Sequence, residues 1–314
     1  MQSIFEAINE WLKEILIGAI NGNLSNMFGD VNDKVGTIAA QVGQTPQGWN
    51  GGIFSMVQSL SQTVILPIAG IVITYVLCVE LIGMITDKNS LHDIDTFMFF
   101  KYVFKAWVAV YLVTHVFDIT MAVFDVGQHL VNNAAGVINT NAAIDVDSTL
   151  ATMTATLETM EVPELILLVM ETAAVSMCMK IMSVLITVIL YGRMIEIYLT
   201  CSVAPIPFAT MTNREWGSIG NNYLKGLFAL GVQGFFIMVC VGIYAVLVNQ
   251  MTIAANLHSA IFSVAAYTVI LCFSLFKTGS LAKSICQNED YCYNRDNRSC
   301  CFLKFACKIH INYL

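Results

Sequence analysis

The sequence predicts an all-α, polytopic membrane protein, and three observations support this fold class. Of its 314 residues, 57% are hydrophobic and only 12% are charged, which is about half the charged fraction of an ordinary soluble domain. Apolar stretches of about twenty residues or more recur along the chain, long enough for helices that cross the roughly 30 Å hydrocarbon layer. The formal net charge of -7 argues against a soluble nucleic-acid-binding module, which normally carries a basic face.

The N-terminal sixty residues divide into two parts. Residues 1–20, "MQSIFEAINEWLKEILIGAI", place apolar side chains at helical spacing and predict an amphipathic helix. That helix either lies on the membrane surface or packs against protein. Residues 21–60 are rich in Gly, Asn and Gln, and they predict a loop that contains a short helix near Val31–Val42. We assign residues 1–60 to the extracytoplasmic side.

Residues 61–285 predict a transmembrane helical domain. Four of its apolar segments each have the length of one span: Thr63–Ile85, Val103–Phe124, Leu224–Val248 and His258–Phe276. Between the second and third of these lies an acidic segment, 125–163, in which the stretch that begins at Ser148 predicts a short amphipathic helix.

A further apolar region of about 48 residues follows that segment, and as one continuous helix it would measure roughly 70 Å, more than twice the hydrocarbon thickness. We therefore predict a span over Leu165–Tyr191 that leaves Arg193 at the cytoplasmic end. The next stretch, Met194–Thr210, is predicted to be re-entrant or to lie in the membrane plane, since Pro205 and Pro207 interrupt a helix there. This gives five spans; the alternative is a sixth span through the same stretch.

The distribution of basic residues predicts the orientation. No Lys or Arg occurs from Ala106 to Met179, so the rule that positive connectors stay inside places segment 125–163 outside. The N-terminus is then outside and the C-terminus inside the cytoplasmic membrane. The basic residues that flank the inner connectors are Lys88, Lys101, Lys105, Arg214, Lys225, Lys277 and Lys283.

Ionisable residues within the apolar segments are the candidate site residues, because they are costly in lipid and usually face a cavity or a partner. One interpretation is a proton or ion relay through two pairs, His115 with Asp118 and Glu171 with Lys180. The other is that these groups pair across helices and fix the assembly, or extend to the interface. Together with the two prolines, the candidates for a structural or channel role are Glu80, His115, Asp118, Glu171, Lys180, Arg193, Glu196, Pro205 and Pro207.

Motifs for catalysis, for metal binding and for nucleotide or other cofactor binding are absent from the sequence, so no catalytic, metal or cofactor residue is predicted. Five cysteines crowd into residues 286–314, but their spacing matches no familiar zinc site. The composition changes abruptly at this point. We interpret the tail as a non-native or disordered ending and assign it no function.

Several stretches resemble a known family. They include "PIAGIVITYVLCVELIGM", "FKAWVAVYLVTHVFD", "KTGSLAKSI" and, most specifically, the block "APIPFATMTNREW". Over about residues 1–285 the chain resembles the TrbL-like polytopic membrane component of type IV secretion systems, in the versions carried by conjugative elements of Gram-positive bacteria.

The resemblance implies a function without catalysis. Members of this family are expected to form part of the channel or scaffold that moves a relaxase-bound single DNA strand across the cell membrane. The implied partners are a coupling ATPase, a secretion ATPase and small membrane subunits. We also expect contact with membrane lipid, with further copies of the chain and, transiently, with the DNA strand. The alternative function is a stand-alone ion-coupled transporter that uses the charged pairs.

Overall fold

The computed structural model describes residues 2–86, 96–139, 146–213, 215–251 and 257–287. All regular secondary structure in these ranges is helical, which confirms the predicted all-α class. A π-helical stretch, Ser61–Ile65, interrupts one helix. The helices are α1 Gln2–Val42, α2 Pro46–Trp49, α3 Gly51–Leu60, α4 Leu66–Thr86, α5 Thr96–Thr114, α6 Val116–Asn139, α7 Val146–Leu157, α8 Val162–Val203, α9 Pro205–Thr210, α10 Gly217–Met251 and α11 Leu257–Gln287.

The described residues contain four helices long and apolar enough to cross a membrane, or five if a bent pair counts as one span. These helices confirm a polytopic membrane protein, and the higher count agrees with the five predicted spans. The four helical segments are Gly51–Thr86, Val162–Val203, Gly217–Gln250 and Leu257–Gln287.

The bent pair replaces the straight span predicted at Val103–Phe124. The segments Phe99–Thr114 and Val116–Ile138 meet at an angle of 66°. At the bend, the Thr114 hydroxyl donates to the carbonyl oxygens of Val110 and Tyr111, both at 3.0 Å. Threonine hydroxyls that bond back to the preceding turn often bend a helix. A hydropathy profile does not predict such a bend.

Helix α8 continues past the predicted end of its span at Tyr191. It runs unbroken to Val203, so most of the predicted re-entrant segment belongs to it. Met194, Ile197 and Cys201 are buried in an apolar cluster with residues of α6 and α10, and this packing stabilises the helical extension. The helix of 42 residues is about 63 Å long at 1.5 Å per residue.

The loop predicted over residues 21–60 is wrong for most of its length. Residues 21–42 continue α1, and residues 51–60 form α3. In α1, apolar side chains spaced alternately four and three residues apart are buried against the bundle; they are Leu24, Phe28, Val31, Val35, Ile38 and Val42. Their burial, worth about 1.5–3 kcal/mol each, outweighs the helix penalty of about 1 kcal/mol for each glycine.

The acidic segment and the C-terminal tail are described only in part. Helix α6 extends to Asn139, and α7 at Val146–Leu157 confirms the short helix predicted around Ser148. Residues 140–145 lie outside the described ranges, as does the Cys-rich tail from residue 288 onward.

Besides the α6–α8–α10 cluster around Met194, the helices pack around two further apolar clusters. The larger core is formed by α1, α6, α7, α8, α10 and α11. A smaller cluster joins α4, α5 and α9 through residues such as Ala69, Val113 and Phe208. Helix α9, directly after α8, thus connects the smaller cluster to the main bundle.

Candidate functional site

Glu80 is paired with the neighbouring helix. The Lys105 Nζ atom of α5 donates to Glu80 Oε1 of α4 at 2.6 Å, and both side chains are partly exposed. Nearby, the Tyr102 hydroxyl donates to the Leu77 carbonyl oxygen at 3.0 Å. The acidic group of the first span therefore connects α4 to α5.

A carboxylate–histidine pair and an ion pair connect α8 to α11. Glu171 Oε2 lies 2.6 Å from His258 Nδ1, and Lys283 Nζ lies 2.9 Å from Glu196 Oε1. The earlier residue of α8 meets the earlier residue of α11, and the later meets the later, so the two helices run in the same direction. Both pairs are partly exposed, and together they show the register between the helices.

Glu171 and Lys180 are not brought together. Lys180 is exposed on α8, and in the described part of the chain Glu171 bonds to His258 instead. Both residues belong to α8, more than two turns apart, which is too far for neighbours on one helix face.

His115 and Asp118 both lie exposed beside the bend between α5 and α6. The His115 ring stacks on Tyr111 with ring centroids 4.3 Å apart, and its Nδ1 atom lies 3.1 Å from the Tyr111 carbonyl oxygen. Neither a hydrogen bond nor an ion pair joins His115 to Asp118, although the structure describes both residues.

Arg193 is the most deeply buried of the charged candidates, with 7% of its surface exposed. Its Nη2 atom donates to the Leu230 carbonyl oxygen at 3.4 Å, while its Nε atom has no hydrogen-bond partner. A Cβ atom at Gly234 would lie 2.9 Å from Nη2, so this glycine of α10 makes room for the guanidinium group. Glu196, one helical turn away, is bonded to Lys283.

Pro205 and Pro207 mark the boundary between α8 and α9. Pro205 is the first residue of α9, a position where the missing N–H is harmless. The last part of the predicted re-entrant segment, Pro205–Thr210, is therefore a short helix. Pro205 and Phe208 are buried, and Phe208 packs against the α4 and α5 cluster.

Sequence reasoning missed the polar contacts between α1 and α8. Asn23 Nδ2 donates to Thr172 Oγ1 at 3.1 Å, and the buried Lys34 Nζ donates to the Met179 carbonyl oxygen at 3.2 Å. Beyond the end of α1, the Tyr198 hydroxyl donates to the Pro46 carbonyl oxygen at 2.6 Å. The heptad-like apolar spacing in residues 24–42 could have predicted a helix that packs against another helix here.

The described residues contain no group of three or more His, Cys, Asp and Glu residues arranged to hold a metal ion. The site thus consists of pairwise contacts between long helices. These features define the chain as a polytopic helical membrane protein, whose apolar clusters are supplemented by charged and polar contacts between its helices.

A family model described as TrbL/VirB6 plasmid conjugal transfer like protein matches residues 31–205, more than half of the chain. The chain therefore belongs to the TrbL/VirB6 family and is a membrane subunit of a type IV secretion, or conjugal transfer, system, which confirms the resemblance found in the sequence. The match includes Pro205 but not the rest of the block that follows it. Curated proteins and solved structures gave no match.

Proposed function

We propose that this chain is a non-enzymatic channel or scaffold subunit of a conjugation apparatus. In this role it helps to move a relaxase-bound single DNA strand across the cytoplasmic membrane. The observation that carries the proposal is the family match over residues 31–205, together with helices long enough to cross a membrane on both sides of Pro205.

The energy for transport comes from partners in this proposal. The sequence has no phosphate-binding loop of the kind that nucleotide hydrolysis requires. A coupling ATPase and a secretion ATPase would supply the energy, and small membrane subunits and further copies of this chain would complete the channel.

The proposed orientation follows the basic residues. The N-terminus and segment 125–163 face outward, and the C-terminus faces the cytoplasm. Helices α8 and α11 are parallel, and α10 lies between them in the chain. This supports the arrangement, because the connectors that precede α8 and α11 then lie on the same, outer side of the membrane. The domain division at residues 60 and 285 remains part of the proposal.

The ion-coupled transporter is the weaker alternative. Glu80, Glu171 and Glu196 each bond to a basic residue of a neighbouring helix, as expected of groups that hold helices together. The described contacts form separate pairs, and no specific observation favours a relay through them.

Deletion and complementation in cells that carry the complete conjugative element would test the proposal. We expect DNA transfer to fall to background in the deletion strain, while the relaxase still nicks its DNA, because the block lies after DNA processing. Crosslinking of the transferring strand, followed by precipitation of this chain, measures direct contact. Wild-type transfer without the chain, or loss of nicking, would contradict the proposed role.

A further inference from the structure

The bundle has an apolar side and a polar side. Large apolar side chains are exposed along all of α8, from Ile166 to Val203, and along α11, from Phe262 to Ile285. In contrast, no large hydrophobic side chain is exposed between Ile15 and Met56, a stretch that the structure describes throughout. The apolar side suits lipid, and the side formed by α1 does not.

The polar part of α1 lies at the same level along the bundle axis as the apolar part of α8. Asn23 contacts Thr172, Lys34 contacts Met179, and Pro46 contacts Tyr198. The residue numbers rise together in the two segments, so α1 runs parallel to α8 along most of the length that would cross a membrane.

Helix α6 extends the polar side. A Cβ atom at Gly43, just after α1, would lie 2.7 Å from Asn132 Oδ1 of α6. The C-terminal end of α1 is therefore a neighbour of α6. The outward positions of α1 are small or polar, whereas α6 exposes both polar side chains and the apolar Val126, Leu130 and Val137. The exposed small or polar positions are Ser25, Asn26, Asp33, Gly36 and Thr37 of α1, with His129, Asn132 and Asn133 of α6.

A cavity of about 120 Å³, lined by both polar and apolar side chains, opens at the seam between α1 and α8. Its polar lining consists of Asp30, Asp33, Lys34, Thr37, Ser183 and Thr187. One water molecule needs a cavity volume of roughly 10–15 Å³ and two or more polar partners. This cavity can therefore hold several water molecules. Ser183 and Thr187 belong to the middle of α8, so the seam accommodates water at the depth of a membrane span.

We infer that α1 passes through the membrane beside α8, and that the polar side of α1 and α6 borders a water-filled passage in the assembled apparatus. Lipid offers no hydrogen bonds to exposed amides and carboxylates, so such groups at membrane depth face water or protein. This inference rests on the proposed function, and it assigns a specific wall of the proposed channel.

The inferred course of α1 also changes the expected topology. Lys13 lies near the start of α8, where its Nζ atom donates to the Glu158 carbonyl oxygen, whereas Pro46 lies near Tyr198 at the other end. Residues 1–60 would therefore extend across the membrane, instead of lying wholly on the extracytoplasmic side.

Cysteine accessibility at matched depth tests the inference. Asn26→Cys and Asp33→Cys sample the polar side, and Val188→Cys samples the apolar side of α8 about two turns away from the exposed Lys180. In membranes that contain the complete apparatus, we expect a charged methanethiosulfonate reagent to modify the α1 cysteines at least about tenfold faster than Cys at 188, because the reactive thiolate is disfavoured in lipid. The wild-type chain, with its exposed Cys78, gives the background.

Two results would overturn the inference. Equal protection of all three cysteines would mean that protein or lipid covers the polar side. Equal modification would mean that this depth of the bundle is not embedded in lipid. If a variant fails to insert, Thr37→Cys on the same exposed side replaces it.

A transfer assay separates this inference from the proposed function. Protected α1 cysteines, in a strain where deletion of the chain abolishes transfer, would refute the passage and leave the channel role intact. Modified α1 cysteines, in a strain where deletion leaves transfer unchanged, would refute the channel role instead.

Discussion

Gly127 of α6 and Gly231 of α10 show how single residues set the distance between helices. A Cβ atom at Gly127 would lie 2.8 Å from the Gly231 carbonyl oxygen. That neighbour is backbone and cannot rotate away, so the two helices cross at this distance only because Gly127 has no side chain. Small residues have this role in many membrane helix pairs.

Gly127→Ala is therefore expected to weaken the α6–α10 contact by about 1–3 kcal/mol, the usual range for overpacking a tight site. The measurement is the unfolding midpoint of the purified chain in detergent. Gly136→Ala is the matched control on the same helix, because nothing lies within 4 Å of its added Cβ. The control should be neutral or slightly stabilising, since alanine favours helix more than glycine does. Equal midpoints for the two variants would contradict the close crossing.

Glu171 and Lys180 allow a similar comparison between two charged residues of α8. Glu171→Gln removes the charge bonded to His258, so we expect weaker docking of α11 and a lower membrane abundance of the chain. Lys180→Gln should leave abundance unchanged, because Lys180 is exposed. An ion-flux assay should respond to neither change. Normal abundance of Glu171→Gln with loss of an ion-coupled flux would instead favour the transporter alternative.

At the scale of elements, hydropathy located the apolar helices but not their ends or bends. The runs near Thr63–Ile85, Leu224–Val248 and His258–Phe276 all became long helices, because their composition alone favours a membrane span. The bend lies at Thr114, whose hydroxyl bonds to the preceding turn. The extension of α8 past Tyr191 depends on tertiary packing. Neither feature follows from local composition.

Helix α1 is the clearest case in which tertiary contacts override local preference. Gly22, Gly29 and Gly36 favoured a loop in the sequence, yet all three lie within α1. Each of these glycines has open space around it, so none is required by a close contact. The helix is instead held by the buried apolar side chains on its opposite face.

The junction between α8 and α9 carries an element-scale prediction. Proline within a helix removes a hydrogen bond and clashes with the preceding turn, at about 3 kcal/mol or more. The double change Pro205→Ala with Pro207→Ala should let α8 continue directly into α9. Phe208 would then move relative to Ala69 and Ile73 of α4, with which it shares an apolar cluster.

We expect the double proline variant to insert into the membrane and to lose DNA transfer. The measurement is transfer frequency beside membrane abundance. Pro67→Ala is a suitable control, because Pro67 lies near the start of α4, where a missing N–H matters least. Wild-type transfer by the double variant at normal abundance would mean that the prolines form only a connector.

At the scale of the whole molecule, the fold class followed from composition, whereas the contacts of the candidate site did not. Low charge and long apolar runs predict a helical membrane bundle in general. Charged residues in those runs mark positions of interest, but the partner of each depends on which helices become neighbours. Thus Glu171 bonds to His258 of α11, a residue that no local pattern connects to it.

The orientation of the whole chain carries the last prediction. The long stretch without Lys or Arg, Ala106–Met179, places segment 125–163 outside. Asn141→Cys should therefore react with a membrane-impermeant maleimide on intact cells. Lys277→Cys, at an exposed position of α11, should react only after permeabilisation, because α11 leads to the cytoplasmic end in this orientation. The wild-type chain again gives the background. The reverse pattern, with Cys at 277 labelled on intact cells and Cys at 141 labelled only after lysis, would invert the topology and place the C-terminus outside.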